Sequence, residues 1–363
     1  MVRRHTRRGL TFIEVLVVIV VIGVLIALLI PPVSVSHEAA RRSTCINNMK
    51  QIGLGLQNFN NNFNHLPGSA SVDPGTRTVG GWSFLERILP FMDFEAEYKA
   101  LYKDELTPEK PSGGTADQQV AARALLNRPM KVYFCPSNSN KKFPDPAARP
   151  PAGALTNYKA MGGTFAAALA MAADDTRTPP YDPTDPKKFP DGAMFPGPGL
   201  RFADIPDGTS KTIAVAETID DICSRWTVGK EATMFGLPSS MAGQIKHLTA
   251  HGDFWGPSDY DGQFGPTSAV DLNKGERPYV GFDFSPGGAD YAGGGPGSTQ
   301  YAADDRSMGF GEENPPNYGP SSGHTAVVNH LFVDGSVHAI SKQIDGAAYM
   351  FLITRNNADP FPL

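Results

Sequence analysis

Apolar residues run without a break over residues 10–30, where only Thr11, Glu14 and Gly23 are not strongly hydrophobic. As a helix, such a run is long enough to cross the roughly 30 Å hydrocarbon layer of a bilayer. Pro31 and Pro32 then end or kink it, because proline lacks the amide N–H and collides with the preceding turn. Helical periodicity resumes over residues 34–64. Val35, Ala39, Ile46, Met49, Ile52, Gly53, Leu56, Phe59 and Phe63 recur mostly at intervals of three and four and make one apolar stripe, with Cys45 on its margin. The opposite face carries Asn47, Asn48, Asn58, Asn60 and Asn61 with Arg41, Arg42 and Lys50. Leu66-Pro67-Gly68-Ser69 closes this stem.

Beyond the stem the pattern changes to short elements separated by turns. Residues 82–102 predict a helix interrupted at Pro90, and a further helix starts at Thr115 or Asp117 and runs to Leu126. Strands are predicted at residues 130–135, 156–161 and 211–217, and the proline-rich stretches 136–153 and 176–199 predict surface loops. The strongest local signal is TAVVNHLFVDGSVHAIS, where alternating apolar runs flank Asp334-Gly335. That dipeptide suits a two-residue type I′ hairpin, which would set Phe332 opposite Val337 and Leu331 opposite His338. The expected architecture is α+β: a leader (residues 1–9), a transmembrane helix (10–33), an amphipathic stem (34–66), and a head (67–363) with an antiparallel sheet and long Gly/Pro-rich loops.

Charge refines this picture. Arg3, Arg4, Arg7 and Arg8 all precede the apolar run, so the positive-inside bias places the N-terminus in the cytoplasm and the head outside. The whole chain carries a formal charge of −5, and the body beyond those arginines is more acidic still. No basic surface remains to track phosphates, so nucleic acid is not an expected partner. Three cysteines, Cys45, Cys135 and Cys223, lie far apart with no zinc-ligand spacing. They are either buried free thiols or, in an exported body, one disulfide with an odd thiol left over; Cys45 and Cys135 are the pair expected to bridge.

Glu14 is the anomaly, a carboxylate in an apolar run where a mid-bilayer charge costs about 2.5 to 3.5 kcal/mol. Cleavage after Gly9 would resolve it. Leu10 would then expose an α-amino group one helical turn from Glu14, and the two charges could neutralise each other within one chain or between neighbours. The stretch Arg7-Arg8-Gly9-Leu10-Thr11-Phe12-Ile13-Glu14 resembles the type IV prepilin cleavage and methylation signal, departing from it only in having Leu10 where phenylalanine is usual. The resemblance implies that a prepilin peptidase cuts between Gly9 and Leu10 and methylates the new terminus. It further implies that Glu14 meets the terminal amine of a neighbouring subunit during filament assembly.

The rest of the chain resembles a large family of prepilin-like exported proteins whose C-terminal domain has no assigned function. The recurrent pieces are Cys45-Ile46-Asn47-Asn48-Met49-Lys50-Gln51-Ile52-Gly53-Leu54, Cys135-Pro136-Ser137, Thr156-Asn157-Tyr158 and Asp207-Gly208-Thr209-Ser210-Lys211-Thr212-Ile213, and finally His324 with Asp334-Gly335 after nine intervening residues. The chain is also distantly similar to the major pseudopilin of type II secretion. These likenesses imply a single-pass inner-membrane subunit with a periplasmic or cell-surface head, assembling with like subunits into a pilus or pseudopilus. They supply no catalytic residues.

Tests for chemistry give little. His324, His330 and His338 invite a metal, yet the predicted hairpin register points His330 and His338 to opposite faces, and six extended residues separate His324 from His330 by about 20 Å. No H-E-x-x-H pair or phosphate-cradling glycine loop is present, and the serines and histidine of Ser321-Ser322-Gly323-His324 are adjacent in sequence without that making a triad, so no enzyme and no cofactor is expected. Residues 251–320 hold eleven carboxylates against three bases. Within them Asp259-Tyr260-Asp261-Gly262 is the most calcium-like piece, weighed against a solvated acidic surface. Two rival functional readings are an anchored surface module for calcium or glycan that uses the prepilin signal for export, and an anchored hydrolase whose turnover would depend on His324.

Overall fold

The computed structural model describes residues 11–29, 33–72, 79–102, 124, 126–138, 153–163, 192–220, 224–236, 269–271 and 319–355. The chain divides into two compact units, Met1–Arg41 and Arg42–Leu363.

In the first unit the apolar run forms helix α1, Phe12–Leu29, 18 residues long. Its described side chains, from Phe12 to Leu25, are exposed all round. Thr11 and Glu14 close its N-terminus as a reciprocal capping box. The Thr11 amide and hydroxyl donate to Glu14 Oε2 at 2.7 and 2.8 Å, and the Glu14 amide donates back to Thr11 Oγ1 at 3.4 Å. Among the described residues no helix is long and apolar enough to cross a membrane. The span expected over residues 10–33 is therefore represented by a helix that does not by itself meet that criterion. Pro31 and Pro32 lie outside the described residues, between the end of α1 and the start of α2.

Helix α2, Val33–Phe63, continues into the second unit. From Cys45 onward it buries Cys45, Asn48, Met49, Ile52, Gly53, Gly55, Leu56 and Phe59, a stripe at helical spacing. Asn48 belongs to this face and not to the polar one, because its Nδ2 donates to the Phe134 carbonyl at 2.9 Å. Cys45 sits in the centre of the stripe and not on its margin. Leu54 and Phe63 stay exposed. The helix stops at Asn64, which takes the left-handed conformation (φ 61°). Its amide still bonds the Asn60 carbonyl at 2.7 Å, and Pro67 follows.

The remaining elements are strands β1 (Ala70–Val72) and β2 (Val79–Ser83), helices α3 (Phe84–Arg87) and α4 (Glu95–Tyr102), then strands β3 (Tyr158–Gly163), β4 (Ile213–Glu217), β5 (Thr233–Phe235), β6 (Ala269–Asp271), β7 (Val327–Phe332), β8 (Val337–Ser341) and β9 (Gln343–Asp345), and helix α5 (Gly346–Ile353). Five strands make the main sheet in the order β5-β3-β4-β7-β8. All neighbours are antiparallel except β3 and β5, so the expected antiparallel sheet is in fact mixed. Two-stranded pairs β1-β2 and β6-β9 lie apart from it.

The helix predicted over residues 82–102 breaks into pieces for identifiable reasons. Trp82 belongs to β2 and bridges Val228. Ser83 caps α3 by accepting from the Glu86 amide. Pro90 opens a separate 3-10 turn, Leu89–Met92, which ends at left-handed Asp93 before α4 begins. The strand predicted at residues 130–135 is a 3-10 turn, Lys131–Tyr133, followed by extended Phe134. The predicted helix to Leu126 and both proline-rich loops fall largely outside the described residues.

Hydrophobic clusters cover the main sheet from two sides. One joins Cys45, Met49, Ile52 and Leu56 of α2 and Phe84 and Leu85 of α3 to Tyr158, Val215 and Leu331. The other joins Tyr349, Met350 and Ile353 of α5 to Met161, Ile213, Val328, Phe332 and Ile340. Gly53 is the point of closest approach: a Cβ there would lie 2.9 Å from Leu331 Cδ1 and 3.3 Å from the Gly335 backbone. Gln57 extends the contact, its Nε2 donating to the Val333 carbonyl at 2.6 Å.

The β7-β8 hairpin differs from its expected register by one residue. Leu331 pairs with Val337 and His330 with His338. The connection is three residues long, with the Gly335 amide bonding the Phe332 carbonyl and the Phe332 amide bonding the Ser336 carbonyl, both at 2.9 Å. Only Gly335 of the turn pair has positive φ (87°). A type I′ turn would need Asp334 there too. Asp334 is held otherwise, its amide donating to the Thr209 carbonyl at 3.0 Å and its Oδ1 accepting from the Ser336 amide at 2.8 Å.

Candidate functional site

Four chain segments bring reactive side chains to one buried place. Cys45 comes from α2, Cys135 from the chain just after the 3-10 turn, Glu217 from the end of the central strand β4, and His324 from the loop before β7. Cys45 and Cys135 form a disulfide, with Cα atoms 5.1 Å apart across 90 residues of sequence. His324 Nε2 lies 3.7 Å from Cys135 Sγ and 3.5 Å from Glu217 Oε1. One ligand atom from each of the four residues lies within 4.8 Å of all the others. All four residues are at most 2 % exposed.

The surrounding hydrogen bonds fix this arrangement. Tyr158 sits opposite Glu217 in the β3-β4 pairing, and the phenol donates to the Cys45 carbonyl at 3.4 Å. Burial, then the Glu217 charge, pushes the Tyr158 hydroxyl well above its ordinary pKa, so it stays a donor. On the other flank Asn329 of β7 holds both carboxylate oxygens: its amide donates to Oε2 at 2.9 Å and its Nδ2 to Oε1 at 3.0 Å. Bonds to a charged group contribute roughly 1.5–3 kcal/mol each, which offsets part of the cost of burying the carboxylate. Asn157 Oδ1 accepts from the Cys135 amide at 2.9 Å while its Nδ2 donates to the Thr218 carbonyl at 3.1 Å. The His324 amide donates to Ser322 Oγ at 3.1 Å.

The recurrent sequence pieces thus have a shared physical purpose. Cys45 with Asn48, Cys135, Asn157 with Tyr158, and His324 all line one polar core beneath α2. The piece at residues 207–213 serves the hairpin: Thr209 and Thr212 carbonyls accept from the Asp334 and Val333 amides, each at 3.0 Å. Gly208 makes that clasp possible with a φ of 103°.

Chemically, the cluster converges on a point and does not form a relay. A nucleophile-base-orienter chain uses the two ring nitrogens of histidine separately; here the same Nε2 faces both the sulfur and the carboxylate. The three histidines do not meet. Their register puts His330 and His338 on one face, correcting the expectation that they point apart. Even so, their partners differ. His330 is buried between the Val328 carbonyl at 3.0 Å and the Tyr349 hydroxyl at 2.7 Å, and burial lowers its pKa to about 4. Exposed His338 packs edge-on against Phe332.

Gly9, Leu10, Cys223, Asp259 and Asp261 lie outside the described residues. Glu14 is engaged with Thr11 as its capping partner. The sequence reading missed Glu217, Asn329 and two further buried features. Lys159 Nζ and Asp220 Oδ2 form an ion pair at 2.7 Å with neither side chain exposed. Glu86 is fully buried with no hydrogen-bond partner for either carboxylate oxygen among the described residues, and burial raises its pKa to about 8. The signal available for Glu217 was a carboxylate closing an otherwise apolar strand.

Residues 36–347 match the family described as Protein of unknown function (DUF1559), and residues 4–30 match the prokaryotic N-terminal methylation motif. The chain belongs to the DUF1559 family. Its first 30 residues carry the type IV prepilin signal, and the buried cluster lies wholly within the part shared with other DUF1559 proteins. No curated protein and no solved structure matches the chain.

Proposed function

We propose that this DUF1559 protein is a type IV pilin-like structural subunit. Prepilin peptidase cuts between Gly9 and Leu10 and methylates Leu10, and residues 10–30 then hold the chain in the inner membrane with the head outside. Copies of the chain, or related subunits, assemble through the N-terminal helix into a pilus or pseudopilus. The observation that carries this reading is the methylation-motif match over residues 4–30, followed from residue 36 by the DUF1559 match.

Glu14 has a role on each side of processing. Before cleavage it caps α1 through Thr11. Afterwards the α-amino group of Leu10, on the same chain or a neighbour, competes for that carboxylate, and in a low-dielectric setting the charged partner is favoured. The subunit carries out no reaction in this reading, and the exposed Leu54 and Phe63 of α2 are contact points for neighbours.

Cysteine cross-linking tests it. Leu54→Cys in the full chain, expressed with its own processing and assembly genes, should give covalent dimers under oxidising conditions, and Glu14→Ala should abolish them while leaving the chain in the membrane fraction. Monomeric Leu54→Cys protein throughout, or dimers indifferent to Glu14, would overturn the assembly role.

A further inference from the structure

We propose that Cys45, Cys135, His324 and Glu217 form a mononuclear zinc site in the dithiol state of this chain, so that the buried cluster holds either a disulfide or a metal ion. Tetrahedral zinc with bonds of about 2.3 Å to sulfur and about 2.0–2.2 Å to nitrogen and oxygen separates S from N by about 3.6 Å and N from O by about 3.4 Å. The observed separations, 3.7 Å from Cys135 Sγ to His324 Nε2 and 3.5 Å from His324 Nε2 to Glu217 Oε1, already match both edges. The bonded sulfurs must part to about 3.8 Å in the same geometry, and the remaining pairs, all within 4.8 Å, must settle at about 3.6 Å.

Donor type agrees with spacing. Two thiolates, an imidazole and a carboxylate suit zinc, a borderline ion, better than calcium, which takes oxygen ligands. Three anionic donors and one neutral one leave a net charge of −1 around the ion, low enough to be tolerated in a buried site with donors nearby. The outer layer is also in place. Asn329 orients the carboxylate through two bonds, and among the described residues its buried Oδ1 has no hydrogen-bond partner. Such supporting bonds are the usual means of aiming metal ligands. A single imidazole nitrogen facing both the sulfur and the carboxylate makes a poor proton relay but is what convergence on one ion requires.

The conversion balances. A dithiol reductant passes two electrons and two protons to the Cys45–Cys135 disulfide and itself becomes a disulfide. Zinc then binds both sulfurs and releases the two thiol protons. Oxidation by a disulfide reverses the sequence and expels the ion.

The full chain in mild detergent, carrying Cys223→Ser to remove the third thiol, provides the test. After anaerobic reduction with a phosphine and removal of the reductant, cobalt(II) titration should give one ion per chain, with tetrahedral d–d bands and thiolate-to-cobalt charge transfer that zinc abolishes. The untreated disulfide form should bind none. Asn329→Ala should weaken binding by about 10–100-fold, and His324→Ala or Glu217→Gln by more, with loss of the tetrahedral spectrum. Three results would each overturn the proposal: a reduced chain that binds no cobalt, whether folded or not; binding indifferent to His324 and Glu217; or equal binding by the disulfide form.

Discussion

Glu86→Gln should reshape the pH dependence of stability, and its size follows from one buried group. Glu86 lies in the first turn of α3, unexposed and with no hydrogen-bond partner for either carboxylate oxygen among the described residues, and its pKa in the folded chain is about 8 against an ordinary 4.5. The folded state therefore holds a proton that the unfolded state gives up, and stability falls as pH rises from about 4.5 to about 8. At about 1.4 kcal/mol per unit the full loss is about 5 kcal/mol. His330 acts in the opposite sense. Its pKa drops from 6.5 to about 4, so the unfolded state takes up the proton and about 3 kcal/mol is lost as pH falls through that window. Between pH 4.5 and 6.5 the two effects cancel, leaving a plateau in the native chain and a decline of about 2 kcal/mol from pH 6.5 to 8. Glu86→Gln removes only the first effect. Its stability should climb from pH 4 to 6.5 and then stay level, so that it exceeds the native chain at pH 8. Urea unfolding of both chains in the same detergent, followed by fluorescence of the buried Trp226 and its fellow tryptophans, would reveal this. Parallel curves for the two chains from pH 4.5 to 8 would refute the reasoning.

Other perturbations have equally definite outcomes. Gly53→Ala gains about 1 kcal/mol of helix propensity but drives a methyl group against Leu331 and the Gly335 backbone at a cost of about 1–3 kcal/mol; urea unfolding should show net destabilisation, and a gain would contradict the packing of α2 on the hairpin. Lys159→Met removes the buried cation that faces the Asp220 carboxylate and should cost about 3–5 kcal/mol. Adding Asp220→Leu should recover most of that loss in the same assay, whereas an additive second loss would contradict the pairing. Glu14→Ala should leave membrane association unchanged while filament yield, scored by shearing and electron microscopy, collapses.

Much of the architecture was readable because it rests on local patterns. The stripe from Met49 to Phe59, the strands ending near Met161 and Glu217, and the hairpin around Asp334-Gly335 all depend on periodicity and turn chemistry. Errors arose where distant residues decide. Asn48 looks polar in sequence and is buried only because the Phe134 carbonyl awaits it. The hairpin slips by one position because Thr209, more than a hundred residues away, fixes Asp334 outside the left-handed region. The parallel edge β3-β5 leaves no local trace in so short a strand. The buried cluster was half visible: its cysteines and His324 stood out, whereas Glu217 and Asn329 acquire meaning only from the adjacency of β4 and β7.

The central claim is that processing gives Glu14 a charged partner, and the mature N-terminus tests it most directly. Intact-mass and terminal-peptide mass spectrometry on protein recovered from its native membrane should find a chain beginning at methylated Leu10. A chain that retains residues 1–9 would contradict the account.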